Sequence, residues 1–346
     1  MLADLGRILS RRHLISPYLL LILGLTAITC THAPFMQVFG VVCAAVAGIS
    51  IFIHLKFHIL RRLAERRNEE LSRYIENALE SGNYRYDFQP FVCLNTHKIT
   101  GAEMLLRMND AEGKPISPLK VVEVSKNSGK CIDLLESALE KARDLKDKSL
   151  PTNVSINIEP CLFRDWENTA YVLSLIGRFQ SMNDFVMFEL TETPENFDIN
   201  HLDSGVRRIR ELGFKVWIDD LGTGQNSLRL WSLIEVDGVK LDRSFRKSLY
   251  GEHGQDWLRH IGEFCRCLEM SCVVEGIETK EEADIITELG FAVVQGFYFY
   301  RPMREEAFFN LVETGQARDC ASCTERCSHA GRNQNLPGND IALTWI

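Results

Sequence analysis

The chain has 346 residues, of which 45% are hydrophobic and 25% charged, so it has room for one large globular domain with appended segments. The net charge is −8, and because residues 1–70 carry 8 basic and 4 acidic side chains, the remainder carries −12. This acidic part excludes the broad basic surface that binds a nucleic-acid polymer, but not a small phosphate ester held through metal ions.

The N-terminal part of the chain is predicted to lie in a membrane. Residues 14–55 form a run of 42 residues without Asp, Glu, Lys or Arg. About 20 apolar residues cross a bilayer, so we expect two helices, a hairpin over 14–56 with its turn at 29–34. Basic residues at both ends place residues 1–13 and everything after the hairpin in the cytoplasm. A cleaved signal peptide is the alternative, and the second apolar segment argues against it.

Residues 57–81 are rich in Arg, Glu, Leu and Ala and contain no Pro or Gly, which predicts a helical linker leaving the membrane. The chain has 11 cysteines, an odd number, and most lie singly in apolar stretches. For a cytoplasmic domain this favours reduced core thiols over a disulfide framework.

From residue 86 onward, short β-rich runs alternate with segments of helical period. Strands are predicted at 86–94, 99–107, 153–158, 185–190, 215–218, 238–241, 272–275 and 292–299. Helices are predicted at 118–145, 162–179, 202–212, 227–234, 243–268 and 280–289. Eight strands alternating with helices favour an α/β fold, a (β/α)8 barrel. A doubly wound open sheet is the alternative, and the lack of a G-x-G-x-x-G motif after the first strand weakens it.

Polar side chains recur where these strands end. They are Glu103, Asn157, Glu189, Asp219, Asp220, Lys240, Glu275 and Gln295. Taken alone, a single carboxylate at a strand end is as readily explained by a structural ion pair as by a functional site. Two adjacent aspartates are likewise as readily explained by a solvent-exposed turn as by a metal site. Seven successive strands ending in this way instead favour a shared site for hard cations with oxygen ligands. The set holds no His or Cys, which disfavours zinc.

Two basic residues complete this set. Lys240 is the lone lysine among the acids and is suited to neutralise them or to hold a water and a phosphoryl oxygen. Arg107 is placed to meet an anionic group. Acids, one lysine and one arginine at a two-cation site describe phosphodiester hydrolysis.

At this point the sequence resembles the EAL-domain cyclic di-GMP phosphodiesterases of bacteria. The matching motifs are F-Q-P at 88–90, G-A-E-M-L-L-R at 101–107, S-I-N-I-E-P at 155–160, F-E-L-T-E-T at 188–193, I-D-D-L-G-T-G at 218–224, V-K-L-D-R-S-F at 239–245, V-V-E-G-I-E-T at 273–279 and V-Q-G-F-Y-F-Y-R-P-M at 294–303. They follow the family order over roughly residues 70–315, and we place the barrel at 70–317. The resemblance implies a modified (β/α)8 TIM-type barrel that hydrolyses cyclic di-GMP to linear pGpG with two Mg2+ or Mn2+ ions.

The resemblance also implies a role for each matching residue. Glu103, Asn157, Glu189 and Asp219 would hold one metal, and Asp219 and Asp220 would reach the second. Lys240 and Glu275 would organise the attacking water, with Glu275 as the candidate base. The dinucleotide pocket would be lined by Gln89, Leu105, Arg107, Glu278, Gln295 and Pro302. Glu192 would steady the loop that follows Asp220.

The chain departs from the family pattern at two motifs. Met104 replaces the usual Ala beside Glu103 and leaves the metal ligand untouched. In the loop after the paired aspartates, Leu221, Gln225 and Asn226 replace Phe, Tyr and Ser. Because that loop couples the metal site to the dimer interface in the family, these changes keep a second interpretation open: a non-hydrolysing domain that binds cyclic di-GMP or a protein partner.

Residues 318–346 lie outside the resemblance. Cys320, Cys323, Cys327 and His329 form C-x2-C-x3-C-x-H, which is compatible with zinc, an iron–sulfur cluster or redox sensing. The surrounding polar, Gly- and Asn-rich sequence favours a flexible tail. In sum, we expect a multi-pass protein of the bacterial inner membrane with a cytoplasmic catalytic domain, which binds cyclic di-GMP, pairs as a homodimer through the barrel and binds no nucleic-acid polymer.

Overall fold

The computed structural model of the protein describes residues 34–191, 198–222 and 227–314. The chain divides into two compact units, Met1–Ile75 and Glu76–Ile346. The predicted first membrane helix, Glu192, the loop at 223–226 and the cysteine tail therefore lie outside the described residues. The predictions made for them stay predictions.

The first long element is helix α1, Pro34–Ser81, which runs for 48 residues without a break. Its segment Ala44–Ser81 is long and apolar enough to cross a membrane, and it is the one helix of this kind among the described residues. Large apolar side chains such as Ile49, Phe52 and Ile53 are exposed along it. The two-helix hairpin is therefore not confirmed. The predicted linker is the C-terminal part of this same helix, because residues 57–81 contain no Gly or Pro that would end the helix before Gly82.

The second unit contains a closed barrel of eight strands. They are β1 Arg85–Cys93, β2 Ile99–Asn109, β4 Asn153–Ile158, β5 Val186–Leu190, β6 Lys215–Leu221, β7 Gly238–Leu241, β8 Ser271–Val274 and β9 Val293–Val294, and a short β3, Pro115–Ile116, pairs with the end of β2. Neighbouring strands pair in the order β1, β9, β8, β7, β6, β5, β4, β2, and β1 closes the ring on β2. The predicted barrel is confirmed. An open sheet would leave its two edge strands unpaired, and the pairing of β1 with β2 excludes it.

Strand β1 runs opposite to the other barrel strands. It pairs antiparallel with both β2 and β9, whereas the remaining pairs in the ring are parallel. The turn between Cys93 and Ile99 is too short for a crossover helix, so the chain reverses in a hairpin. The start of β1 consequently lies beside the end of β2, with Arg85 opposite Arg107 and Gln89 opposite Glu103.

The helices of the second unit follow the strands. They are α2 Pro118–Ser128, α3 Cys131–Asp147, α4 Trp166–Gly177, α5 Ile199–Glu211, α6 Ser227–Leu233, α7 Glu252–Cys267, α8 Lys280–Glu288 and α9 Glu305–Thr314, with 3-10 turns at Pro160–Phe163, Gln180–Met182 and Arg243–Tyr250.

Three predicted elements differ from the structure. The helix predicted at 118–145 is two helices, because Gly129 adopts a left-handed φ of 73° and ends α2. The segment predicted as helix 243–268 begins with a 3-10 turn, and α7 starts only after Gly251, whose backbone is extended. The strand predicted at 292–299 has two paired residues, Val293–Val294.

Two separate apolar cores fill the barrel unit. The larger packs the outer faces of the strands against the helices, and Val216, Ile218 and Phe188 belong to it. The smaller lies inside the barrel and consists of Phe91, Met187, Trp217, Val273 and Val293. On the parallel strands, residues two positions further along face the same interior at the mouth where the strands end, and on the reversed strand β1 the corresponding residue is Gln89, two positions before Phe91.

Six cysteines of the second unit are free thiols. Cys93, Cys131 and Cys265 are buried, Cys161 and Cys272 are half-buried, and Cys267 is exposed.

Gly205 offers a test of packing between α5 and the 3-10 turn that precedes α4. A Cβ at Gly205 would overlap the buried ring of Phe163. We expect Gly205→Ala to lower the free energy of unfolding by about 2 kcal/mol, the usual cost of overpacking a core. Chemical denaturation followed by circular dichroism measures it.

Gly177→Ala is the matched control, because a Cβ at this helical position meets nothing within 4 Å. It should raise the free energy of unfolding by about 0.5–1 kcal/mol. Equal effects of the two substitutions would contradict the packing described for Gly205.

Candidate functional site

A buried lysine lies at the centre of the barrel mouth. Nζ of Lys240, on β7, lies 3.2 Å from Oε2 of Glu103, 3.0 Å from Oε2 of Glu189, 2.9 Å from Oδ1 of Asp219 and 2.6 Å from Oε1 of Glu275. The Lys240 side chain is 1% exposed and that of Glu189 is 0% exposed. Four strands or strand ends thus deliver a carboxylate to one ammonium group.

Strand alternation explains why these residues meet. Trp217 points into the barrel interior, so Asp219, two residues later on β6, points the same way one layer higher. The Lys240 ammonium lies 5.9 Å from the centre of the Phe91 ring, directly next to the interior apolar core. The apolar core thereby closes the barrel below the charged layer and leaves the mouth as the open side.

Asp219 and Asp220 are adjacent in sequence, and a regular strand would turn them to opposite faces. The pairing of β6 with β7 shifts register between Ile218 and Leu221, and Asp220 has a left-handed φ of 52°. A positive φ at a residue other than Gly costs of order 1 kcal/mol or more and concentrates at functional sites. This irregularity allows both carboxylates to face the same mouth.

The mouth carries more negative charge than Lys240 can balance. Burial raises the pKa of Glu189 to about 8 and that of Asp220 to about 7, and neighbouring carboxylates add to both shifts. Burial likewise holds the pKa of Glu275 well above its usual range. Burial lowers the pKa of Lys240, but the four carboxylates outweigh it and raise that pKa well above normal.

Glu103 differs from its neighbours. Burial acts to raise its pKa, but the charge of Lys240 and hydrogen bonds from Gln295 and Asn157 lower it overall. Nε2 of Gln295 donates to Oε2 of Glu103 at 3.1 Å, and Nδ2 of Asn157 donates to Oε1 at 3.1 Å. Glu103 is therefore held as a carboxylate with a fixed orientation.

The donor set fits hard divalent cations. Ligand oxygens of Glu103, Glu189 and Asp219 lie within 4.8 Å of one another, and so do those of Asp219, Asp220 and Glu275. Among the described residues, Oδ1 of Asn157 and Oε1 of Glu189 are buried without a hydrogen-bond partner. Oxygen atoms in such a position are the ligands that Mg2+, Mn2+ and Ca2+ use, so the residues present suit such an ion. Asp219 belongs to both groups.

The predicted pocket residues divide into two sets. Gln89 and Gln295 lie at the acidic centre: Nε2 of Gln89 donates to the Tyr300 carbonyl at 3.4 Å, and Gln295 contacts Glu103. Leu105 and Pro302 are half-buried at the rim, and Arg107 lies beside Asp87.

Glu278 lies apart from these residues. Its Oε2 is 2.9 Å from Nη1 of Arg246, and its side chain is 47% exposed. The prediction that it binds substrate stays a prediction, as do those for Glu192 and for Cys320, Cys323, Cys327 and His329, which lie outside the described residues.

Sequence analysis missed three residues that shape the site. Trp217 and Phe91 form the apolar floor, and their place two residues from Asp219 and Gln89 was a usable signal. Asp242 is buried two residues after Lys240, where it caps the following 3-10 turn by accepting from the Ser244 backbone N–H at 2.7 Å. Its charge also helps to raise the pKa of Asp220.

The family model of the EAL domain matches residues 72–302, more than half of the chain, so the chain belongs to the EAL domain family. It is 29% identical over 261 residues to the cyclic di-GMP phosphodiesterase RocR of Pseudomonas aeruginosa, covering 70% of this chain and 66% of RocR.

Solved structures agree with this assignment. An EAL domain protein from Listeria monocytogenes aligns with a TM-score of 0.63 at 25% identity, covering 70% of this chain and 98% of that one. The PaMucR phosphodiesterase in complex with c-di-GMP aligns with a TM-score of 0.61 at 25% identity, covering 69% and 99%. The chain spans about a third to two thirds of the lengths of the curated relatives that it matches.

Asp219 offers a test of the metal site. Because its carboxylate belongs to both ligand groups, Asp219→Asn should weaken Mn2+ binding to the full-length protein by about tenfold or more. Isothermal titration calorimetry or the electron paramagnetic resonance signal of free Mn2+ measures the dissociation constant.

Asp203→Asn provides the control, since Asp203 lies on α5 and pairs only with Arg207 among the contacts described, at 2.8 Å. Its Mn2+ affinity should equal that of the parent. Parent-like affinity in Asp219→Asn would show that the acidic mouth is not where the ion binds.

Proposed function

We propose that this chain hydrolyses cyclic di-GMP to linear pGpG. The observation that carries the proposal is the layer of five carboxylates around Lys240 at the barrel mouth, with two overlapping sets of oxygen ligands. The choice of substrate rests on two proteins that are similar to this chain: RocR is named a cyclic di-GMP phosphodiesterase, and PaMucR was solved in complex with c-di-GMP. An acidic site accepts the phosphate that is to be cleaved through bound cations.

In this proposal two Mg2+ or Mn2+ ions are the cofactors. Glu103, Asn157, Glu189 and Asp219 would hold one ion, and Asp219 and Asp220 would reach the other. When bound, such ions polarise a phosphoryl oxygen and lower the pKa of water. The orphan oxygens of Asn157 and Glu189 support this ligand set.

The proton chemistry falls to Lys240 and Glu275. The Lys240 ammonium orients the attacking water and faces the negative charge that develops on the phosphoryl oxygens. Glu275 accepts the proton of that water, and burial raises the pKa of its carboxyl group, which makes it a stronger base than an exposed carboxylate. Nζ of Lys240 lies 2.6 Å from Oε1 of Glu275, so the base and the ammonium group that orients the water are adjacent.

A non-hydrolysing receptor for cyclic di-GMP is the second candidate. Its support is the altered loop after Asp220, where Leu221, Gln225 and Asn226 depart from the family pattern. Leu221 itself is buried in the outer core, so this change keeps an apolar contact. The complete ligand set favours the enzyme, because a pure receptor has no need of a base.

We also propose that the protein is anchored in the bacterial inner membrane with the barrel in the cytoplasm, and that it pairs as a homodimer through the barrel. The exposed apolar segment of α1 supports the anchor. A membrane position would confine hydrolysis of the second messenger to the vicinity of the bilayer.

Hydrolysis is tested with the full-length protein, cyclic di-GMP and Mg2+ or Mn2+, with products separated by liquid chromatography. We expect linear pGpG, and none after chelation with EDTA. Glu275→Gln keeps the shape of the side chain but removes the base, so kcat should fall by about 10²–10⁴-fold while nucleotide affinity stays within about threefold. Lys240→Ala and Glu103→Ala should abolish turnover.

The result also separates the two candidates. Binding of cyclic di-GMP without any product from the parent would favour the receptor. Parent-like turnover in Glu275→Gln would remove Glu275 from the role of base.

Membrane anchoring has its own test. Deleting residues 1–56 should move the chain from the membrane pellet to the soluble fraction in cell fractionation, because the apolar segment is removed. The circular dichroism of the truncated chain reports whether the barrel still folds. A truncated chain that still sediments with membranes would contradict the assignment of residues 14–56.

A further inference from the structure

A cluster of three arginines and one aspartate lies at the rim of the barrel mouth. Oδ1 of Asp87 is 3.1 Å from Nε of Arg85 and 3.9 Å from Nε of Arg304, and Oδ2 is 3.5 Å from Nε of Arg107. The Asp87 side chain is 12% exposed and that of Arg107 is 24% exposed. We call these four residues the rim cluster.

The register of β1 and β2 makes the rim cluster possible. Arg85 is directly opposite Arg107 in the antiparallel pair, and like charges in that position repel. Asp87 lies two residues after Arg85 on the same face of β1, so its carboxylate reaches both guanidinium groups. Without that carboxylate, Arg85 would push Arg107 out of the mouth.

Arg107 lies on the same strand and the same face as Glu103, but further from the acidic centre. It follows Glu103 by four residues on β2, and both face the interior, so their Cα atoms are about 13 Å apart along the strand. Nε of Arg107 faces Asp87 and Nη1 donates to the Leu106 carbonyl at 2.9 Å. A guanidinium has five N–H donors, so these two contacts leave donors for a ligand.

We infer that Asp87 is a positioning residue: it holds Arg107 against the repulsion of Arg85, so that the guanidinium of Arg107 meets acceptor atoms of the half of the dinucleotide that is not being cleaved. The inference rests on the proposed function. The acceptor atoms are either the second phosphate or the O6 and N7 edge of a guanine, both of which a guanidinium fork binds.

The base of the barrel provides a matched control. Asp237, which precedes β7, is 13% exposed, and it lies 3.1 Å from Nε of Arg210 and 3.4 Å from Nζ of Lys215. It resembles Asp87 in residue type, in exposure and in lying close to more than one cationic side chain, and it also accepts a hydrogen bond from the Val216 backbone N–H at 3.0 Å. It lies at the opposite end of the strands from Lys240 and Asp219, where a barrel residue contributes to stability rather than to binding.

The experiment compares Asp87→Asn with Asp237→Asn in the full-length protein. The readouts are the melting temperature, the dissociation constant for cyclic di-GMP, and KM and kcat with Mg2+. We expect Asp87→Asn to raise both the dissociation constant and KM by about fivefold to tenfold, with kcat changed by less than about twofold. Asp237→Asn should lower the melting temperature at least as much and leave KM as in the parent. Asp87→Glu, which restores the charge, should recover most of the affinity.

A double-mutant cycle tests whether Asp87 acts through Arg107. Arg107→Ala alone should weaken binding by about tenfold or more. Adding Asp87→Asn to it should cost nothing further, because the group that Asp87 positions is gone. Multiplicative losses in the double variant, or a KM in Asp87→Asn equal to that of the parent, would overturn the inference.

Cyclic di-AMP distinguishes the two sources of acceptor atoms, since adenine lacks O6. If Arg107 meets the guanine edge, Asp87→Asn should reduce the preference for cyclic di-GMP over cyclic di-AMP. If it meets a phosphate, affinity for both nucleotides should fall by the same factor. A parent protein that binds neither nucleotide would overturn the proposed function, and this inference with it.

Discussion

The ion pairs of Lys240 are the interaction on which the rest of this structure depends. A lysine that is 1% exposed is stable only because several carboxylates surround it, and those carboxylates are acceptable in a buried layer only because the lysine is there. Five negative groups nevertheless face one positive group. Burial raises the pKa values of Glu189, Asp220 and Glu275, and the neighbouring carboxylates add to each shift. Crowded buried carboxylates of this kind bind protons or divalent cations. The excess negative charge that destabilises the fold therefore favours the binding of metal ions.

Three features of the barrel position this charged layer: the apolar floor, the register shift in β6 and the reversed strand β1. Below it, the rings of Phe91 and Trp217 close the interior and keep water out from one side. Around it, the register shift in β6 turns Asp219 and Asp220 toward one mouth. The reversed strand β1 carries its own N-terminal residues to this mouth, and for that reason Gln89 and Asp87 stand beside the ends of seven parallel strands. The hairpin between β1 and β2 therefore places polar side chains at the mouth as well as closing the barrel.

Several residues singled out in the sequence come together at the mouth for a common physical reason. Polar residues at the ends of apolar runs stand out because an apolar strand interior rarely tolerates them, and parallel strands bring their ends together whatever the details of packing. Glu103, Asn157, Glu189, Asp219 and Lys240 were recognised in this way, and the resemblance to the EAL domain family assigned them roles. Glu278 has the same residue type, but its side chain turns toward Arg246, and its role in binding substrate stays a prediction. Nothing in the local sequence indicates which of two nearby carboxylates faces the mouth.

The sequence by itself determined the barrel, the identity of the acidic residues and the apolar character of the N-terminal region. These follow from periodicity, composition and the order of motifs, which are local properties of the chain. The tertiary structure alone decided the contacts that depend on register: the four carboxylates that share Lys240, the left-handed turn at Asp220 and the placement of Asp87 between Arg85 and Arg107. Hydrogen-bonded strand pairing sets that register over separations of 50 residues or more, as between Lys240 and Glu189, and no single segment carries that information.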